Sequence, residues 1–330
     1  MIEHSDVRRI LLVSLDNLGD LVFASALTPP LRTAFPDATI DVWCKRYTAP
    51  VAPLIPHVHQ VIAADPFWTR SPGRPRAQLL PFLRSVRQIR ARRYDAAVLS
   101  QAPWRTAAAV HATGIPIRIG FARSRNARFL THLLPAENAT KPVLDEQARL
   151  LEPFGIEAGP LRYRLDRGPL EDRRRAVAAA LPTRFAAVHA FAGARERCVP
   201  LEEWNRVALA LEARRLPVLW VGTTPELNAL RVTHAHPKGT YVDELGDASL
   251  ETTAAALSLA TAFVGHDSGP LHVAGALGVP VLGIFAPGQP ARTFPQGTGP
   301  SRMIARARPG EIDAGIIVRE LEALGLFSDA

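Results

Sequence analysis

Short apolar runs of four to six residues recur along the chain, each closed by Gly, Pro or a polar residue. Between them lie stretches whose apolar residues repeat at spacings of three and four. Runs of the first kind predict buried strands, and stretches of the second kind predict amphipathic helices. Strand-like runs fall at 10–15, 39–44, 60–64, 96–100 and 118–121, then at 185–189, 217–221, 262–265 and 280–285. Alternation of this kind from end to end predicts an α/β protein with parallel sheets covered by helices. The polar stretch LRYRLDRGPLEDRRR, with Gly168 and Pro169 inside it, is the natural linker. Two domains are therefore expected, 1–168 and 169–330, with a cleft between them.

Composition narrows the class. With 330 residues, 47% hydrophobic and 21% charged, the chain has material for a sizeable core in one or two domains. Cys44 and Cys198 cannot form a disulfide framework. No run approaches the ~20 apolar residues that span a bilayer. The opening MIEHSDVRR enters ILLVSL without a secretory pattern, so a cytoplasmic protein is expected.

The net charge of +8 rests almost wholly on arginine, the lysines being Lys45, Lys141 and Lys238. Such an excess suits nucleotides, phosphorylated glycans or an anionic membrane surface. A genome rich in G and C would leave the same arginine bias with no functional meaning. Its densest cluster, LLPFLRSVRQIRARRYD, predicts a helix with Leu79, Leu83, Val86 and Ile89 on one face and Arg84, Arg87 and Arg90 or Arg92 on others. That helix is either a solvated surface or a membrane contact. Nucleic acid is not an expected partner, because no aromatic platform or recognised module accompanies the charge.

Candidate chemistry sits where strands hand over to helices. In SLDNLGDLVFASAL, the first strand gives way to a tight loop holding Asn17 and Gly19, with Asp20 at a helix start. Gly19 would permit a special backbone conformation or a close approach. A helix dipole would keep Asp20 ionised near neutral pH, as suits a base, with plain capping as the alternative. In FAAVHAFAGARERCVPLEEWNRVA, a strand reaches His189 and a loop carries Gly193, Arg195 and Arg197, whose guanidinium groups could grip a diphosphate. VLWVGTTPEL places Thr223, Thr224 and Glu226 after another strand, where a ribose or base edge could be read. In GHDSGPLHVAGALGVPVLGIFAP, Asp267, Ser268, Gly269 and His272 open a helix that Gly278 is placed to stop, a cradle for a phosphate or sugar or an ordinary capped turn. Neither the glycine fingerprint of a dinucleotide site nor the lysine of a P-loop is present.

Four blocks in order, SLDNLGD, HAFAGARERCVP with LEEW, ELGDASL, and HDSGPLHVAGALGVPVLGIFAP, resemble glycosyltransferase family 9, the ADP-heptose:lipopolysaccharide heptosyltransferases. Smaller echoes, FPDATIDVW, RYDAAVLSQAPWRTA and IPIRIGF, extend the resemblance over nearly the whole chain. It implies the GT-B architecture: two Rossmann-like domains facing a central cleft, acceptor on the N-terminal side and sugar nucleotide on the C-terminal side. Asp20 would match the family's base, and Asp267, Ser268, Gly269 and His272 its D-[TS]-G-x-x-H block. The lysine of the family's K-x-W-P falls on Arg197 and its tryptophan on Val199. The family's glutamate after G-x-E or G-x-x-E falls on Thr224 or Glu226, and TKPVLD stands where the family usually has His. Lys45, Arg46, Arg105 and Arg118 are candidates to meet an acidic acceptor.

The resemblance implies an inverting, metal-independent transfer of heptose from ADP-heptose to the inner core of lipopolysaccharide. No cofactor is expected, the nucleotide sugar being the donor substrate. Partners would be that donor, an acidic glycan or glycolipid acceptor and, peripherally, the inner face of the inner membrane. Absence of a His/Cys or carboxylate cluster with ligand spacing agrees with that chemistry. Alternatives are transfer of another sugar, modification of a protein or natural product, and a non-catalytic nucleotide-binding protein.

Overall fold

In a computed structural model of the chain, residues 2, 7–69, 77–232 and 239–327 are described. The chain divides into two compact units, Met1–Tyr163 and Arg164–Ala330. The division falls inside the polar stretch LRYRLDRGPLEDRRR, so Gly168 and Pro169 open the first turn of the second unit, Gly168–Leu170.

The first unit runs β1 (Arg9–Ser14), α1 (Leu18–Ala24), α2 (Thr28–Ala34), β2 (Thr39–Cys44), β3 (Val58–Ala63), α3 (Leu79–Arg92), β4 (Ala96–Leu99), α4 (Trp104–Ala112), β5 (Ile117–Phe121), β6 (His132–Leu134) and α5 (Val143–Ala148). Its sheet is parallel throughout, in the order β3-β2-β1-β4-β5-β6. The second runs α6 (Glu171–Ala178), β7 (Ala186–His189), α7 (Leu201–Ala213), β8 (Val218–Trp220), α8 (Thr224–Arg231), β9 (Thr240–Tyr241), α9 (Leu250–Leu257), β10 (Ala262–His266), α10 (Gly269–Ala276), β11 (Val281–Phe285), α11 (Pro290–Thr293), β12 (Ser301–Ala305) and α12 (Ala314–Glu322). Its parallel sheet has the order β12-β11-β10-β7-β8-β9. Both are the same winding: three strands outward from the centre, a crossover, and three outward the other way. Each unit thus has a switch point, between β1 and β4 and between β7 and β10, where loops diverge at the carboxyl edge and open a crevice.

Burial explains which strands the apolar pattern reveals. β4, β7, β10 and β11 are buried along their whole length, and helices cover both faces of such strands, so they read as unbroken apolar runs. β6, β9 and β12 leave no such trace. All three are edge strands; β6 and β9 have only three and two residues, and β12 has only Ile304 buried.

The arginine-rich helix turns inward a face rotated from the one its spacing suggests: Ile89 and, partly, Val86 pack against the core as expected, but Leu79 and Leu83 do not. Phe82, Ser85 and Ile89 are its buried residues, because the Phe82 ring stacks on Trp43 at 5.4 Å and meets Trp68 edge-on at 4.9 Å. Leu79, Leu80 and Leu83 are left 48%, 67% and 40% exposed, beside exposed Arg84, Arg87 and Arg90.

Two glycines serve the second unit directly. At Gly265 a Cβ atom would lie 2.8 Å from the His189 carbonyl oxygen, so only glycine lets β10 pack against β7 at that register. Gly278, at φ +76°, ends α10: its N–H bonds the Gly275 carbonyl and the Val279 N–H bonds that of Ala274, the Schellman pattern. Among the described residues no helix is long and apolar enough to cross a membrane.

Candidate active site

In the first unit the carboxyl edge of β1 delivers Asp16, Asn17 and Asp20. Asn17 caps α1, and the Asp20 carboxylate accepts the Asn17 N–H at 3.1 Å, so Asp20 does complete a capping box. The box does not decide its charge. Burial pushes the Asp20 carboxyl up to about 6, Asp16 and Glu137 push the same way, and the Asn17 N–H and Lys45 oppose them. Desolvation and the neighbouring acids thus outweigh the groups that favour the charge. The result is a carboxylate mostly ionised at pH 7 yet basic enough to accept a proton, where a general base works best. Gly19 lies in the first turn of α1 and is not among the glycines with positive φ, so it has no need of glycine's special conformation.

In this unit the structure adds Tyr47 and Arg123, which the sequence did not single out. Tyr47 places its hydroxyl 3.5 Å from Asn17 Oδ1, and burial pushes that phenol up, with Asp20 and Asp16 adding to the effect. Arg123 donates to Gln101 at 2.6 Å and to Glu137 at 2.5 Å, tying the loop after β4 to the segment after β6. Lys45, immediately past β2, is buried and acts on Asp20. Arg46 is exposed and donates its backbone N–H to Asp65. Arg105, in the first turn of α4, lies over the Trp104 ring at 4.8 Å. Arg118 does not join them. It is level with Leu11 in the sheet, short of the carboxyl edge, and its guanidinium is engaged by the carbonyls of Ile115, Pro116 and Phe129. Those bonds tie the segment before β5 to the turn after it.

In the second unit the loop after β7 and the start of α10 converge. Arg197 donates from Nε to the Pro287 carbonyl at 2.9 Å and from Nη2 to Asp267 Oδ2 at 3.4 Å. Thr293 Oγ1 lies 3.2 Å from the same carboxylate oxygen, and His272 Nε2 lies 3.4 Å from Oδ1. Burial works to raise the Asp267 carboxyl, but His272, Arg197 and the Thr293 hydroxyl outweigh it and hold it below the usual carboxylate range. Ser268 is the N-cap of α10, Gly269 its first residue and Pro270, which has no N–H, its second, so the helix start can offer the Gly269 and Leu271 N–H groups to an anion. The backbone N–H of buried Val199, where the resembled family has tryptophan, donates to His266 Nε2 at 2.9 Å. Burial holds that imidazole down at about 3, so it stays neutral and anchors the arginine loop. Thr293 and His266 are site residues that spacing did not reveal. The loop contains Gly193 and Arg195, both exposed.

Beside this cluster His189 ends β7 and is buried, with Nδ1 3.1 Å from Ser268 Oγ and Nε2 3.7 Å from Glu226. Glu226 accepts the Thr223 N–H at 2.7 Å and its hydroxyl at 2.8 Å, a capping box that opens α8 with Thr224 as its first residue. Among the described residues no group of three or more His, Cys, Asp or Glu is placed to hold a metal ion.

Two all-parallel six-stranded units of this winding, each with polar loops at its switch point, make an α/β protein of the GT-B class. The sequence pattern described as glycosyltransferase family 9 (heptosyltransferase) matches residues 82–309, more than half of the chain, and the chain belongs to that family. It is an enzyme, a glycosyltransferase. It is 21% identical over 279 residues to lipopolysaccharide heptosyltransferase 3 of Escherichia coli, covering 81% of this chain and 80% of that one. Among solved structures, the glycosyl transferase family 9 protein from Veillonella parvula DSM 2008 superposes with a TM-score of 0.83 at 16% identity, over 99% of each chain. E. coli heptosyltransferase WaaC with ADP-2-deoxy-2-fluoro heptose superposes with a TM-score of 0.75 at 18% identity, over 96% of this chain and 99% of that one.

Proposed function

We propose that the protein transfers a heptose from ADP-heptose to an inner-core hydroxyl of lipopolysaccharide, with inversion at the anomeric carbon and without a metal. The observation that carries this reading is a division of labour between two switch points: one holds a carboxylate near 6, the other an arginine clasp beside an open helix start. Asp20 is the base. It takes the proton of the acceptor hydroxyl as that oxygen attacks the anomeric carbon and the C–O bond to the diphosphate breaks. The departing ADP carries the new negative charge, which Arg197 and the N–H groups at the start of α10 stabilise. Asp267, held ionised, accepts from sugar hydroxyls, with His272 and Thr293 fixing its orientation.

The relatives' names support the choice of donor and acceptor, one being a lipopolysaccharide heptosyltransferase and another holding an ADP-heptose analogue. The test is thermal unfolding with ADP, GDP and UDP, followed by ADP release from ADP-heptose with inner-core acceptor. Ligand at about 100 times its Kd adds about 2.7 kcal/mol to the state that binds it. Stabilisation by ADP alone and acceptor-dependent ADP release are the expected results. Preference for UDP or GDP overturns the donor, and binding without turnover overturns catalysis in favour of a nucleotide-binding role.

A glycolipid acceptor implies work at the inner face of the inner membrane. Three exposed leucines on α3, flanked by exposed Arg84, Arg87 and Arg90 with no acid in the helix, support contact with an anionic surface there. Co-sedimentation with phosphatidylglycerol vesicles, lost in a Leu80→Ser, Leu83→Ser variant, is the expected result; binding unchanged by those substitutions overturns it.

A further inference from the structure

Three elements meet at the His189 ring: the end of β7 that carries it, the start of α8 through Glu226, and the start of α10 through Ser268. Burial opposes the Glu226 charge, but His189 and the N–H and hydroxyl of Thr223 outweigh it and bring that carboxyl to about 2. An anionic oxygen 3.7 Å from Nε2 favours a proton on that nitrogen. The state of Nδ1 then decides what Ser268 can do. A neutral ring offers its Nδ1 lone pair, so the Ser268 hydroxyl donates to it and presents only lone pairs to a ligand. A protonated ring donates from Nδ1 to Ser268 Oγ, and the hydroxyl hydrogen is released to donate elsewhere. Nothing in the helix competes for it: Ser268 is the N-cap of α10, yet its side chain makes no capping hydrogen bond.

We propose that His189 takes up one proton from solvent when a diphosphate binds at the start of α10, turning Ser268 from acceptor to donor toward the phosphate, with Glu226 as the counter-charge. This rests on the reading that the start of α10 holds the donor's diphosphate. The remaining neighbours leave room for the added charge. Arg197 from the loop after β7 is paired with Asp267 from the turn before α10, His266 on β10 is neutral, the Cys198 thiol is pushed up by burial, and the ring of Phe191 lies 6.2 Å away. His189 and Glu226 act through Ser268, so both are positioning residues.

The test uses the whole chain and ADP-glucose, a diphosphate diester with no phosphate group that titrates near neutral pH. Titration calorimetry at pH 8 in buffers of different ionisation enthalpy counts protons taken up on binding, and the same titration from pH 6 to 9 gives the linkage slope. Uptake of a fraction of a proton is expected, with affinity falling by up to about tenfold per pH unit on the alkaline side. His189→Asn is expected to abolish both the uptake and the slope. Glu226→Gln, which keeps an acceptor for Thr223 and removes the counter-charge, is expected to reduce the uptake even if His189→Asn does not fold. Binding by the unaltered protein without uptake overturns the proposal, and so does uptake that survives in His189→Asn, which would move the proton to His272. Absence of binding by both ADP-glucose and ADP overturns instead the reading of the site as a nucleotide-diphosphate cradle.

Discussion

Asp20→Asn separates the charge of the candidate base from its structural bond. The Asn side chain keeps an oxygen that can accept the Asn17 N–H now held at 3.1 Å, so the cap of α1 survives and only ionisation is lost. In the folded chain the carboxyl moves from 3.8 to about 6, chiefly through burial. At about 1.36 kcal/mol per pKa unit this caps the cost of the ionised form near ~3 kcal/mol. Solvent reaches part of the side chain, which leaves roughly 1–2 kcal/mol after screening. The sign follows from the direction of the shift. Below pH 4 the acid is protonated in both folded and unfolded chains and the cost is absent; it grows between pH 4 and 6 and is complete above that. Asp20→Asn is therefore expected to unfold a few degrees higher than the unaltered protein at pH 8, with the gap closing toward pH 4, as scanning calorimetry would show. The same substitution should lower turnover by about 10²–10⁴-fold in the ADP-release assay, and the unaltered enzyme should lose kcat/KM about tenfold per pH unit below 6. A variant less stable at pH 8 would refute the buried-charge argument, and turnover within a few-fold of the original would remove Asp20 from the role of base.

Other consequences are more local. Gly265→Ala forces a methyl to within 2.8 Å of the His189 carbonyl and 3.0 Å of the Phe263 ring, and is expected to destabilise the second unit by about 1–3 kcal/mol in urea unfolding. Arg197→Ala should weaken ADP at least tenfold by calorimetry, while Arg197→Lys should recover part of that through charge but not the two-point grip of Pro287 and Asp267. Tyr94→Phe removes a 2.5 Å hydrogen bond to buried Asp41 that Arg92 and His59 only partly replace, and a loss of about 1–2 kcal/mol is expected from thermal unfolding.

The sequence by itself determined the class and the place of the chemistry. Strands buried on both faces must be apolar throughout, so β4, β7, β10 and β11 stood out as unbroken runs, and β2 was bounded to the residue. Helix starts need acceptors and stops need a left-handed residue, so the loops carrying Asp20, Asp267 and Gly278 were legible from local chemistry alone. Tertiary structure decided what depends on partners distant in the chain. Edge strands β6, β9 and β12 are defined by the neighbour they pair with, and no apolar run marks them. The face of α3 that goes inward was set by the rings of Trp43 and Trp68 around Phe82, which periodicity cannot see. Arg118 could not be told in sequence from a residue at the carboxyl edge; strand register put it level with Leu11, short of that edge. The elevated Asp20 carboxyl and the contact of His189 with Ser268 have the same origin: desolvation and proximity are sums over residues brought together from separate segments, and only the folded chain performs that sum.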